Sequence, residues 1–253
     1  MSILAIGWDV RGWRGNQQAV SAIKLDKHVK KIQWWVSEDF QFETAEPLSL
    51  SSLLTPAIGD DHKSVLDDVN QIVLGIDAPL AFSKAYIQLL TDDNSVYRPT
   101  SSQMSNPLAF RDCERWIKDE HSKTPLSASF DKLGNGATLA IALTHSLKKE
   151  GFSLVPQDRL KANRSIIEVY PGIVKVGPTR DMPAIQPVHK HIPDSIVPGT
   201  DQYDAAICAL IAVIYAGYSE QLNLTDVVDI QDGFDPKEGW IYGLPASYVQ
   251  RYQ

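Results

Sequence analysis

The segment Ile72-Val73-Leu74-Gly75-Ile76-Asp77 constrains this chain more than any other. It is apolar without alternation, so a strand there has no face left for water. Such a strand needs a covering layer on each side, which points to an α/β protein with parallel central strands. The run halts at Ala78-Pro79, because proline cannot donate to a ladder. Two further short runs are of similar kind: Ile3 to Asp9, and Ser165 to Val169 before Tyr170-Pro171.

The rest of the chain fits around these strands. Gln17 to Leu25 and Lys30 to Ser37 carry strand patterns, and the glycine-containing turn over 11–16 joins the first of them to Ile3–Asp9. Short connections predict an antiparallel meander of these three strands, with the two later strands parallel to the first. Helices are predicted over His62–Asn70, Pro107–His121, Thr138–Glu150 and Asp201–Tyr218. With 253 residues, the reading is one domain over 1–253 with long loop insertions at about 91–107 and 177–200. The longest apolar run, Ala205 to Gly217, has 13 residues. A membrane span needs about 20, so this run is expected to be a buried core helix and no membrane association is expected. Two cysteines, Cys113 and Cys208, are too few for a disulfide framework or a four-ligand zinc site. Met1 to Asp9 lacks a secretory pattern, and a cytoplasmic setting is expected.

The positions of the acids carry the functional signal. Asp9, Asp77 and Glu168 stand at or near the ends of the three apolar runs. Parallel neighbours would bring all three to one edge of the sheet, where ligands of open α/β sheets gather. Asp201 and Asp204 are three apart in the first turn of the last apolar helix, so they share a face. Asp201 has a plainer use as a helix cap. Several carboxylates close together retain their charge only beside a cation. Hard oxygen donors favour Mg²⁺ or Mn²⁺. Two such ions about 3.5–4 Å apart suit phosphodiester hydrolysis. Asp9, Asp77 and Asp204 are the principal candidates for catalysis, and Asp9, Asp77, Glu168, Asp201 and Asp204 for metal.

Six short segments occur in order: Gly7-Trp8-Asp9-Val10-Arg11-Gly12-Trp13, Gly75-Ile76-Asp77-Ala78-Pro79-Leu80, Phe110-Arg111-Asp112-Cys113-Glu114-Arg115, Glu168-Val169-Tyr170-Pro171, Asp201-Gln202-Tyr203-Asp204-Ala205-Ala206 and Glu238-Gly239-Trp240-Ile241-Tyr242. Together they resemble the domain of unknown function 429 family, described as predicted nucleases with a ribonuclease H-like fold. The resemblance covers nearly the whole chain. It implies a five-stranded mixed sheet in the order 3-2-1-4-5, flanked by helices. It also implies that Asp9, Asp77 and the Asp201/Asp204 pair match the positions where ribonuclease H-like enzymes hold metal. The expected function is a metal-dependent nuclease using two Mg²⁺ or Mn²⁺ ions on DNA or RNA. The alternatives are nucleotide- or sugar-phosphate chemistry on the related actin-like ATPase fold, and a non-catalytic binding module.

Arg98, Arg111 and Arg115 are candidate phosphate contacts, Arg111 foremost, since arginine binds phosphate bidentately; the plainer reading of Arg111 is a salt bridge. Lys148, Lys149, Arg159, Lys161 and Arg164 form a second basic cluster. Trp13, Trp34 and Trp35 are candidates for base stacking, although Trp34 and Trp35 must face opposite sides of a strand. His189 and His191 read as loop residues rather than a metal pair. The net charge of −7 lies wholly in residues 192–253, which hold nine acidic and two basic residues. Nucleic acid therefore stays a candidate partner, bound through a local contact rather than a long basic groove.

Overall fold

The computed structural model describes residues 2–13, 17–26, 32–43, 46–92, 94–158 and 163–253. Seven strands among them form one mixed sheet: β1 (Ser2–Asp9), β2 (Ala19–Asp26), β3 (Ile32–Val36), β4 (Gln71–Asp77), β5 (Ser153–Leu154), β6 (Arg164–Val169) and β7 (Ile241–Tyr242). The order is β3-β2-β1-β4-β6-β5, and β7 also pairs with β6. The first three strands are an antiparallel meander, while β4 runs parallel to β1 and β6 parallel to β4. Five strands were expected. The two additional ones, β5 and β7, are two residues each and share the outer edge of β6, and so short a strand leaves no period in the sequence.

The helices used below are α1 (Leu50–Ile58), α2 (His62–Asp67), α3 (Lys84–Thr91), α4 (Asp112–His121), α5 (Gly134–Lys149), α6 (Gln186–His189) and α7 (Asp201–Val213). Side chains alternate across a strand, and β1 is buried on both faces. Leu4, Ile6 and Trp8 of β1 pack with α1 and α5 in one core. Ile3 and Ala5 point the other way, into a second core built on α7. Trp34 and Trp35 pack against different cores, as opposite faces of a strand require, and both are partly buried.

Two helices start elsewhere than expected, and one expected loop is partly ordered. The helix expected from Pro107 begins at Asp112, because Asn106 accepts the Ala109 and Phe110 amides in a turn and the Glu114 carboxylate accepts the Arg111 amide at 2.7 Å. The helix expected from Thr138 begins at Gly134. The 177–200 segment is not wholly irregular, since it holds α6 and its Ala184 bridges to Lys175 just before it. Gly15, Asn16, Lys30, Arg159 and Lys161 lie outside the described residues.

Every residue of α7 except Gln202 is buried. Each large apolar side chain so buried contributes about 1.5–3 kcal/mol. Asp201–Leu222 is long and apolar enough to cross a membrane, but 72% of its most apolar window is buried inside the protein. The helix is spent on the core. It approaches the sheet closely because Gly7 and Gly75 stand opposite each other on β1 and β4. A Cβ on Gly7 would overlap the Ala205 carbonyl oxygen, and one on Gly75 would come within 2.7 Å of the Cys208 oxygen.

Candidate functional site

Asp9 ends β1 and Asp77 ends β4, and the two are register partners. Asp204 lies in the first turn of α7, whose cap is Thr200: its hydroxyl accepts the Tyr203 amide at 3.2 Å. Because α7 rests on Gly7 and Gly75, Asp204 is carried down to both strand ends. One carboxylate oxygen from each of Asp9, Asp77 and Asp204 lies within 4.8 Å of the others.

Crowding and burial raise the proton affinity of this group. The Asp9 carboxyl is pushed up to about 7, first by removal from water and then by the charge of Asp204. Asp77 is held well above the ordinary carboxylate range by burial and by the charges of Asp9 and Asp204. The Tyr170 phenol, next to the site, is pushed up to about 12 by burial and the charges of Asp77 and Asp204.

Three cations answer these acids. Lys175 is buried, with its Nζ 2.6 Å from Asp204 Oδ1 and donating to the Arg180 carbonyl at 3.0 Å. The ammonium is not aligned for a hydrogen bond to Asp204, whose buried Oδ1 has no hydrogen-bond partner. The Arg180 guanidinium lies 3.5 Å from Asp9 Oδ2 and 3.7 Å from Asp204 Oδ2. Arg11 and Arg180 both pair with Asp201. Arg11 is placed by Gln18, whose Oε1 accepts the Arg11 amide at 3.3 Å and the Trp8 indole at 3.1 Å. Both arginine side chains are partly open to solvent, 34% for Arg11 and 44% for Arg180.

Two expected metal ligands stand elsewhere. Glu168 is register partner of Ile76, not of Asp77. With a period of two, it projects to the opposite face from Asp9 and Asp77. There it accepts from both terminal nitrogens of Arg111, at 2.8 and 2.5 Å, and from the Leu80 amide at 2.9 Å. Asp201 is tied to Arg11 and Arg180 and does not join the three carboxylates. Neither is its plainer reading right, since Thr200 is the cap.

Of the expected phosphate contacts, Arg111 and Arg115 are occupied elsewhere. Arg111 is 1% exposed and clamps Glu168 and Glu114, so no substrate reaches it. Arg115 is spent on Asp112 and on the carbonyls of Met104 and Phe110. Arg98 is exposed on the 92–111 loop and makes no ion pair among the described residues. His189 and His191 bond to the Tyr203 hydroxyl and the Leu222 carbonyl, each at 2.8 Å. In the second basic cluster, Lys148 pairs with Asp158 and Arg164 donates to the Glu150 carbonyl.

Arg11, Lys175 and Arg180 were not among the expected site residues. Arg11 follows Asp9 by two residues, which is a signal of sorts. Lys175 and Arg180 belong to an aperiodic stretch after β6 that shows none.

Three carboxylate oxygens within 4.8 Å of one another suit a hard divalent cation better than a soft one. Comparison with family models, with curated proteins and with solved structures gives no match for this chain.

Proposed function

We propose that this chain is a metal-dependent phosphodiester hydrolase with a ribonuclease H-like fold, in line with its resemblance to the domain of unknown function 429 family. The observation that carries the reading is the convergence of Asp9, Asp77 and Asp204 within 4.8 Å. These three would hold Mg²⁺ or Mn²⁺. The bound ion would supply an activated water and charge stabilisation at phosphorus. A second ion would require Asp201 to leave Arg11 and Arg180. The half-open guanidiniums of Arg11 and Arg180 take the phosphate-positioning role expected of Arg111, because they flank the acids at the solvent side. Trp13, 52% exposed and held by Thr138 through its indole nitrogen at 3.0 Å, offers a face to an unpaired base. DNA or RNA is thus the proposed partner.

The test is calorimetric titration of Mn²⁺ into the wild type and the Asp9→Asn/Asp204→Asn variant, with cleavage of single- and double-stranded DNA and RNA followed in parallel. Saturable binding that the variant loses, with cleavage lost alongside, is expected. Equal binding in both proteins would overturn the assignment.

A second reading has its own support in the ion pair between Lys175 and Asp204. Under it, protein cations alone balance the acids and the chain is a non-catalytic binding module. The wild type would then take up no Mn²⁺, yet still bind nucleic acid through Arg11 and Arg180.

A further inference from the structure

A cleft of about 440 Å³ lies along α1. That helix packs through Leu50, Leu53 and Leu54 into the core on the side of the sheet away from α7, so the cleft is separate from the acid triad. Its volume is within the about 300–1,000 Å³ usual for small-molecule sites. Phe40, Phe42, Pro47 and Pro56 supply apolar wall. The Phe42 ring is held edge to face by Trp8 at 5.8 Å and by Phe40 at 5.4 Å. Ser51, on the outward face of α1, also lines the cleft.

The Ser51 hydroxyl belongs to a row of three groups. Its Oγ lies 2.8 Å from His62 Nε2, and His62 Nδ1 lies 2.8 Å from the Gly59 carbonyl oxygen. A carbonyl oxygen only accepts, so Nδ1 carries the ring proton. In the neutral ring Nε2 is then the acceptor, and Ser51 donates to it. This is the tautomer that a general base for a serine requires. Nucleophile, base and orienting group thus stand within hydrogen-bond reach of one another.

The local fold produces the row. Gly59 ends α1 at φ 78°, a conformation that favours glycine. A tight turn over Gly59–Asp61 follows, and His62 opens α2. The chain thereby returns His62 to Ser51, eleven residues before it. His62 is buried, whereas Ser51 is exposed. The base is shielded from water while the hydroxyl stays open to the cleft.

A donor for negative charge adjoins the hydroxyl. The first four amides of a helix lack partners within it. Three of those in α1 are taken: Ser52 Oγ accepts the Ser49 amide at 2.9 Å, Glu150 accepts the Leu50 amide at 3.2 Å, and Ser49 Oγ accepts the Ser52 amide at 3.1 Å. The fourth, the amide of Ser51 itself, has no hydrogen-bond partner among the described residues. A free amide at the positive end of a helix suits an oxyanion.

We infer that Ser51, His62 and the Gly59 carbonyl form the nucleophile, general base and orienting group of a second hydrolytic site, acting on uncharged carboxylic esters with an apolar acyl chain. The apolar walls take the chain, and Glu43 and Glu46 in the lining disfavour an anionic substrate. Ser51 Oγ attacks the acyl carbon as Nε2 takes the hydroxyl proton. The resulting oxyanion accepts the Ser51 amide. Nε2 gives the proton to the departing alkoxide as the ester C–O bond breaks, which leaves an acyl-serine and a free alcohol. Water then attacks the acyl carbon and passes a proton to Nε2. That proton returns to Ser51 Oγ as the carboxylic acid leaves.

The experiment follows p-nitrophenol release from p-nitrophenyl butyrate by the full chain, and maps the adduct of a fluorophosphonate by mass spectrometry. Turnover and a phosphonylated Ser51 are expected. Ser51 is exposed, so Ser51→Ala should keep its thermal transition while turnover falls at least about 100-fold. His62→Gln, compared where its thermal transition shows it folded, should lose fluorophosphonate labelling likewise. The anionic p-nitrophenyl hemisuccinate should react more slowly than the butyrate. EDTA should leave turnover unchanged, which separates this cleft from the acid triad. No turnover above buffer, an adduct elsewhere than Ser51, equal turnover in Ser51→Ala, labelling of folded His62→Gln at the wild-type rate, a faster hemisuccinate or loss of turnover in EDTA would overturn the inference.

Discussion

Gly7 on β1 lies directly opposite Gly75 on β4, and the backbone of α7 from Ala205 to Ala209 rests on the pair. Each glycine precedes a carboxylate of the acid triad by two residues, so each shares a sheet face with it. The depth to which α7 can sink therefore sets how close Asp204 comes to Asp9 and Asp77. Replacing Gly7 by Ala places a methyl group against helix backbone, which cannot yield like a side chain tip. The expected loss is about 1–3 kcal/mol or more, with Mn²⁺ affinity falling as Asp204 is lifted away. Urea denaturation and calorimetry on Gly7→Ala measure the two effects. Unchanged stability would mean that the helix does not sit on the sheet as described.

Arg111 has a structural task. It joins Glu114 and Glu168 in a buried cluster and donates to the Glu238 carbonyl at 3.2 Å. Arg111→Ala leaves two buried carboxylates without their partner, which costs about 3–5 kcal/mol. The folded fraction should bind Mn²⁺ with wild-type affinity, because the cluster faces away from the triad. A variant of normal stability with impaired nucleic-acid binding would return Arg111 to the substrate.

Arg180 competes with a divalent ion for Asp9 and Asp204 while offering a charge to phosphate. Arg180→Ala should therefore raise Mn²⁺ affinity and lower nucleic-acid affinity, reducing the salt dependence by about one phosphate contact. Calorimetry and binding measured over a salt series give the two signs. If both affinities fell together, Arg180 would be holding the site in shape instead.

Asp9 gives a pH dependence. Its folded value of about 7 lies above the ordinary 3.8, so the folded state binds this proton more tightly. The contribution to stability is complete below 3.8 and is lost as pH rises toward 7. Mn²⁺ must displace the proton, so the rise in melting temperature on adding Mn²⁺ should be larger at about pH 8 than at about pH 5. A rise independent of pH would place the ion elsewhere.

His121 titrates in the opposite direction. Burial, and then the charge of Lys123, push it down to about 4 from 6.5. The unfolded chain takes up this proton first, so the contribution is present above 6.5 and is lost as pH falls toward 4. Following the ring protons by NMR should give a midpoint near 4; one near 6.5 would mean the ring is in water.

The central strands were legible because burial on both faces leaves an unbroken apolar run, as in Ile72–Ile76. The meander was legible through its short turns. Asp9, Asp77 and Asp204 were legible as acids interrupting apolar elements. Glu168 shows the limit of that logic. It stands at the right edge of the sheet, but parity decides the face, and the pairing offset between β4 and β6 is invisible in one sequence. The plainer reading of Arg111, a salt bridge, holds with Glu114 three residues on, whereas its second partner Glu168 is too far away in the chain to be read. The helix Leu50–Ile58 went unpredicted; its amphipathic stretch carries Pro56, which argues against a helix.

The triad draws on residues 9, 77 and 204, so most of the chain lies between its first and last members. No fragment ending before α7 contains it, and chain closure over such distances is slow relative to local folding. A nascent chain therefore lacks the complete triad until residue 204 has been added. The three acids come together only when α7 packs on β1 and β4, where the lysine and arginines answer them. Divalent-ion uptake would thus report the packing of α7 on the sheet rather than act as a template for the fold's beginning.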